Sequence, residues 1–164
     1  MNSNAIAKKF LLFPLKLLIT LPERIASYFL WAGPLAARLV VGYVFMYTGL
    51  GKLNNLPQVI QNFIDWGIPY PEILTPFVSG VECFGGVALM LGLFTRVSGG
   101  MLAVVMLVAI KSAKWEEVDS LETLFGFEEA SYFVIFLWLA ITGAGKISLD
   151  YIINKIICHS QKNP

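Results

Sequence analysis

Charge is what this sequence has least of. Asp, Glu, Lys and Arg make up 14% of its 164 residues, against about 25% in a soluble domain. Reactive sulfur and imidazole are scarce too: two cysteines, Cys83 and Cys158, and one histidine, His159. No C-x-x-C pair is present, which disfavours a membrane thiol oxidoreductase. A single histidine excludes bis-histidine haem, and no metal site is expected. The net charge is +1 with the basic residues scattered, so no nucleic-acid partner is expected. The ten-residue alternation of a membrane barrel is also missing.

Apolar residues fill that space. They account for 57% of the chain, and the mean hydropathy is +0.70. The charges are segregated, leaving long runs between them. A membrane-crossing helix needs about 20 mainly apolar residues, and backbone in lipid must satisfy its own hydrogen bonds. Four runs qualify: 34–52, 73–94, 97–113 and 129–147. The expected fold is an all-α membrane protein, a four-transmembrane-helix bundle over 34–152 with a tail over 153–164.

Residues 1–33 read differently. The stretch 10–21 is apolar for about 12 residues, too short to span, and holds Pro14 and Lys16. A signal peptide is one reading, but no small-residue cleavage site follows. An amphipathic helix lying at the membrane interface is favoured, with Trp31 anchoring the first span.

Lys and Arg set the orientation. Lys8, Lys9, Lys16, Arg24, Arg96, Lys146, Lys155 and Lys162 fall on one side, with Lys52, Lys111 and Lys114 opposite. The positive-inside rule then places both termini in the cytoplasm. The outer loop between spans three and four is acidic, with Glu116, Glu117, Asp119 and Glu122. In the other outer loop, Asn55 is positioned to cap a helix starting at Leu56 or Pro57. Its apolar face would be Val59, Ile60, Phe63 and Ile64, and Gly67 would end it. Such a helix rests on the membrane face or lids a pocket between the spans. The former is favoured.

GAGKIS at 143–148 is not a phosphate loop. It lacks the first glycine, and Ile147 stands where Ser or Thr must follow the lysine. Its glycines read as packing or helix-ending residues.

The chemistry is carried by charges inside the spans. An ionisable group there costs about 2.5–3.5 kcal/mol on insertion scales, so it needs a partner or a purpose. Helical phase puts Arg38, Gly42, Phe45, Gly49 and Lys52 on one stripe of span one. Thr75, Ser79, Glu82, Gly86 and Leu89 share a stripe of span two. Lys111 falls with Gly100, Val104 and Leu107, and Glu128 with Tyr132, Ile135 and Leu139. Depth then predicts an outer polar cluster of Glu82, Lys52, Lys111 and Glu128 or Glu129, with Arg38 reaching Glu82 from below. The plainer alternative is a Glu82–Arg38 pair that only joins helices, with both lysines snorkelling to headgroups.

Four segments resemble the DoxX family of small bacterial membrane proteins. They are RLVVGYVFMYTGLGKL (38–53), GIPYP (67–71), ECFGGVALMLGLFTR (82–96) and GAGKISLD (143–150). The resemblance implies a four-helix inner-membrane protein linked to redox complexes, either quinone-reducing or oxidative-stress assemblies. It marks Arg38, Lys52, Glu82, Arg96 and Asp150 as the polar landmarks. The N-terminal extension departs from the pattern and offers a docking segment for a partner protein.

Two functions follow. In the first, the chain is an oxidoreductase subunit that binds a quinone or similar apolar molecule between its helices. Glu82 then relays a proton, helped by Lys52 or Lys111. Arg38, Glu128 and Glu129 line the ligand site, and Tyr132 hydrogen-bonds a carbonyl. No flavin, metal or thiol motif is present, so electrons would come from a partner or the ligand. In the second, the chain is a non-catalytic anchor or ligand-binding module whose charges specify helix packing. The sequence leaves open whether it is an enzyme and whether it forms a homo-oligomer.

Overall fold

The structure is a computed structural model and describes Lys16 and residues 18–160. All regular elements among the described residues are helical. The chain forms two compact units, one ending at Gly33 and one beginning at Pro34.

In the first unit, α1 covers 18–28. It ends in a turn in which the Phe29 N–H donates to Ala26 O at 2.9 Å. Leu18, Ile19, Leu21, Ile25 and Tyr28 are all exposed. Most of the apolar stretch 10–21, with Lys8 and Lys9, lies outside the described residues, as does Lys162.

Seven helices follow: α2 (Ala32–Asn54), α3 (Leu56–Asp65), α4 (Pro71–Leu91), α5 (Thr95–Ala109), α6 (Leu121–Gly126), α7 (Glu128–Thr142) and α8 (Leu149–Ser160). A π-helical turn, Ile110–Lys114, and a 3-10 turn, Trp115–Glu117, prolong α5. Among the described residues, three helices are long and apolar enough to cross a membrane: α2 with 23 residues, α4 with 21, and Thr95–Glu117 with 23. The fourth expected span is shorter. The run over 129–147 is helical only to Thr142, because Gly143 takes φ +82° and turns the chain away. That leaves 15 residues in α7, or about 22 Å at 1.5 Å per residue.

Glycines set the helix spacing. A Cβ on Gly49 would lie 2.4 Å from Cys83 N, and one on Gly86 would lie 2.4 Å from Met46 N. Both clashes are with backbone, so α2 and α4 touch main chain to main chain. That is how membrane helices associate when lipid supplies no hydrophobic drive. Gly99 does the same for α5 against α7, where a Cβ would sit 2.9 Å from Phe136 O. The core then draws one or more residues from each of these helices: Val41 and Phe45, Leu89, Leu102 and Met106, Phe136 and Leu139. The Phe45 and Phe136 rings meet edge to face with centroids 4.7 Å apart. Large residues such as Phe77, Phe84, Val104, Val134 and Ile141 face outward, as a lipid-facing surface requires.

The loop helix α3 starts where the sequence placed it, with Pro57 in its first turn. Asn55 stands at the cap position but its side chain makes no capping bond. Phe63 is buried, and α3 packs on α4. Gly67, at φ +66°, ends it.

Candidate functional site

The two stripes read from helical phase become the buried faces. On α2 the buried residues are Arg38, Val41, Gly42, Phe45 and Gly49. On α4 they are Thr75, Ser79, Glu82, Cys83, Gly86 and Leu89. The glycine contact of Gly49 with Cys83 brings Lys52 down to the level of Glu82.

There Lys52 and Glu82 pair. Lys52 Nζ donates to Glu82 Oε1 at 2.7 Å and stands 2.6 Å from Oε2. The ammonium thus lies against both oxygens of the buried carboxylate. The Glu82 side chain is 3% exposed and that of Lys52 37%. Glu82 lies about 16 Å along α4 from Pro71, while Lys52 is in the last turn of α2. The ammonium therefore reaches from the helix end to the buried carboxylate. Thr75 Oγ1 is likewise buried without a partner, while Ser79 Oγ donates to Thr75 O at 2.7 Å. Cys83 is a buried free thiol next to Glu82, and Cys158 is free and exposed.

The rest of the expected cluster disperses. Arg38 does not reach Glu82. It is completely buried at the opposite end of α2, where Nη2 donates to Ile147 O at 2.5 Å and Nε to Pro34 O at 3.3 Å. Its position on α2, more than three turns from Lys52, puts Glu82 beyond its length. Lys111 falls on the outward side of α5 with Val104 and Leu107, which are exposed. Its ammonium sits 4.1 Å over the Trp115 ring, where the π-helical turn brings the two together. Glu128 is exposed and Glu129 half-exposed. Both lie in the first turn of α7, where carboxylates favour the helix dipole. Tyr132 packs edge to face on Phe45 with centroids 5.2 Å apart. Lys52 and Glu82 are thus the pair the structure brings together.

A second polar constellation occupies the opposite end of the bundle. Phe94 has φ +49°, a costly conformation for a bulky residue. The Asp150 carboxylate holds it there, accepting from Phe94 N at 2.8 Å and Thr95 N at 2.9 Å. In return the Asp150 N–H donates to Gly92 O at 2.9 Å. Arg96 Nη1 donates to Ile141 O at 2.6 Å, satisfying a carbonyl left open at the end of α7. Helical phase gave no sign of this clasp, since it joins residues 55 or 56 positions apart. The only pointer was the likeness that marked Arg96 and Asp150 without assigning them a role.

The DoxX family profile matches residues 33–115. A Bacillus subtilis (strain 168) protein named "Putative oxidoreductase CatD" is 29% identical over 120 residues, covering 72% of this chain and 84% of that protein. An Escherichia coli (strain K12) protein named "Inner membrane protein YqjF" is 28% identical over 123 residues, covering 75% and 93%. No solved structure gives a significant match.

Proposed function

Because the chain belongs to the DoxX family, we propose that it is the membrane subunit of a quinone-linked or oxidative-stress redox complex, binding a quinone or similar apolar ligand beside Lys52 and Glu82. One observation carries this reading: a carboxylate buried among apolar helices, with a lysine ammonium within 2.7 Å of both its oxygens. Such a group accepts a proton or a hydrogen bond from a ligand head that enters between the helices. The relative named as an oxidoreductase supports the redox class, and the inner-membrane relative supports the location.

In this reading α7 is the fourth span. Its 15 residues cover about 22 Å of a hydrocarbon thickness of about 30 Å. The exposed apolar residues of α1 lie on the membrane surface, and the basic ends of the spans face the cytoplasm. The alternative, a non-catalytic anchor, draws on the same pair: Lys52 already neutralises Glu82, as a helix-joining bridge would.

Extraction of the purified protein and chromatography of the extract separate the two. A bound quinone, lost in Glu82→Gln without loss of thermal stability, is expected. Absence of any quinone, with Glu82→Gln retaining native redox coupling in membranes, favours the anchor.

A further inference from the structure

The cytoplasm-directed end of the bundle holds a cleft of about 400 Å³ where α5, α7 and α8 meet. Arg96, Gly143, Ser148, Asp150, Tyr151 and Asn154 line it. Two guanidinium groups stand around it with donors to spare. Arg96 commits only Nη1 to protein carbonyls. Its Nε and Nη2 lie over Gly143, 3.4 and 3.5 Å from where a Cβ would be. Arg38 is wholly buried, yet its Nη1 has no partner. That nitrogen and Ser148 sit side by side over Gly92: a Cβ there would lie 1.7 Å from Nη1 and 2.6 Å from Ser148 Cβ. Ser148 is the wall between Arg38 and the cleft.

Basic groups outnumber acidic ones at this end of the bundle. Asp150 is the acidic residue of the lining, and both its oxygens are taken by the N–H groups of Phe94 and Thr95. Arg38, Arg96, Lys146 and Lys155 remain on α2, α5, the α7–α8 connection and α8. A buried guanidinium nitrogen without an acceptor is costly, and a planar donor fork matches phosphate oxygens. α8 also exposes Ile152, Ile153, Ile156 and Ile157, an apolar face suited to acyl chains.

We propose that this cleft binds the phosphodiester headgroup of an anionic phospholipid. Arg96 is its direct ligand, Arg38 supplies charge from behind Ser148, and Tyr151 and Asn154 flank the glycerol. The site is separate from Lys52–Glu82 and stands whether or not that pair serves a quinone. A lipid there ties α8 to the ends of α5 and α7 and fixes the depth of the bundle in the membrane.

The test uses the full chain, purified in detergent and stripped of lipid, with binding followed by native mass spectrometry. The probes are phosphatidylglycerol, which is anionic, and phosphatidylcholine, which is not. Phosphatidylglycerol should bind about fivefold more tightly, the value of one well-placed cation near a headgroup. Arg96→Gln should remove that preference. Asn154→Glu should remove it too, by placing a carboxylate in the cleft without touching the Arg96 bonds to α7. It decides the matter alone if Arg96→Gln does not fold. Equal binding of the two lipids, or a preference that survives Asn154→Glu, overturns the proposal. Displacement of phosphatidylglycerol by millimolar inorganic phosphate overturns the lipid assignment in favour of a free phosphate ligand.

Discussion

At the scale of single residues, burial decides what each charge is worth. Removing one member of a buried ion pair strands the other in low dielectric. Lys52→Met should therefore cost about 2–4 kcal/mol, less than for a fully buried pair because the lysine is 37% exposed. Adding Glu82→Leu should recover most of the loss. Thermal melting of both variants in detergent measures this, and a double variant worse than Lys52→Met would mean that the carboxylate has another partner. Phe94 shows the opposite economy, a strained backbone held by a neighbour. Asp150→Asn weakens the acceptor for two N–H groups at the start of α5 and should lower stability by about 1–2 kcal/mol. Phe94→Gly adopts φ +49° freely, so it should lessen the effect of Asp150→Asn by roughly 1 kcal/mol. Additive losses in the two-variant cycle would show that the conformation is not what Asp150 supports.

At the scale of elements, glycine placement separates contact faces from lipid faces. Gly49→Ala and Gly86→Ala drive a methyl into facing backbone and should each cost about 3 kcal/mol or more, because neither helix can yield without parting from the other. Gly51, on the same helix, has open space around its Cβ position. Gly51→Ala should be neutral or stabilise by roughly 0.5–1 kcal/mol through helix propensity. Melting curves that rank Gly51→Ala with Gly49→Ala would contradict the α2–α4 packing. The connection between α5 and α7 has a pH-sensitive element. The Thr123 hydroxyl donates to Asp119 and, with backbone bonds, holds its carboxyl below the ordinary value. A depressed folded value means a contribution present above about pH 4 and lost as pH falls through the folded value. Amide exchange over Ser120–Thr123 should accelerate in acid relative to unprotected amides. Asp119→Asn should abolish that pH dependence, and an unchanged profile in the variant would assign it elsewhere.

At the scale of the whole molecule, the question is which end faces which compartment. Arg38, Arg96, Lys146 and Lys155 gather at the end that holds the cleft, and Lys52, Lys111 and Lys114 at the other. The exposed Cys158 and the buried Cys83 supply a direct assay. In intact cells a membrane-impermeant maleimide should leave the protein unlabelled. In inverted vesicles it should label once, at Cys158. Labelling of intact cells that is lost in Cys158→Ser would reverse the orientation.

The chain by itself determined the buried faces of α2 and α4 and the start of α3. Apolar runs, 3.6-residue phase and proline and glycine positions are local, and those helices obey local rules. It also marked Lys52 and Glu82, because a charge in an apolar run stands out against its neighbours. Only the tertiary structure decided which charges meet. Arg38 and Glu82 sit on matching stripes, yet Arg38 turns to Ile147 and Pro34 because depth along α2, not phase, limits its reach. Lys111 points outward since the small residues Ser98, Gly99 and Ala103 claim the inner face of α5. The end of α7 at Thr142 and the Asp150 clasp arise from the φ of Gly143 and from pairings across some 55 residues. Scarcity of charge fixed the solvent of this protein, and backbone contact between helices fixed where its few charges stand.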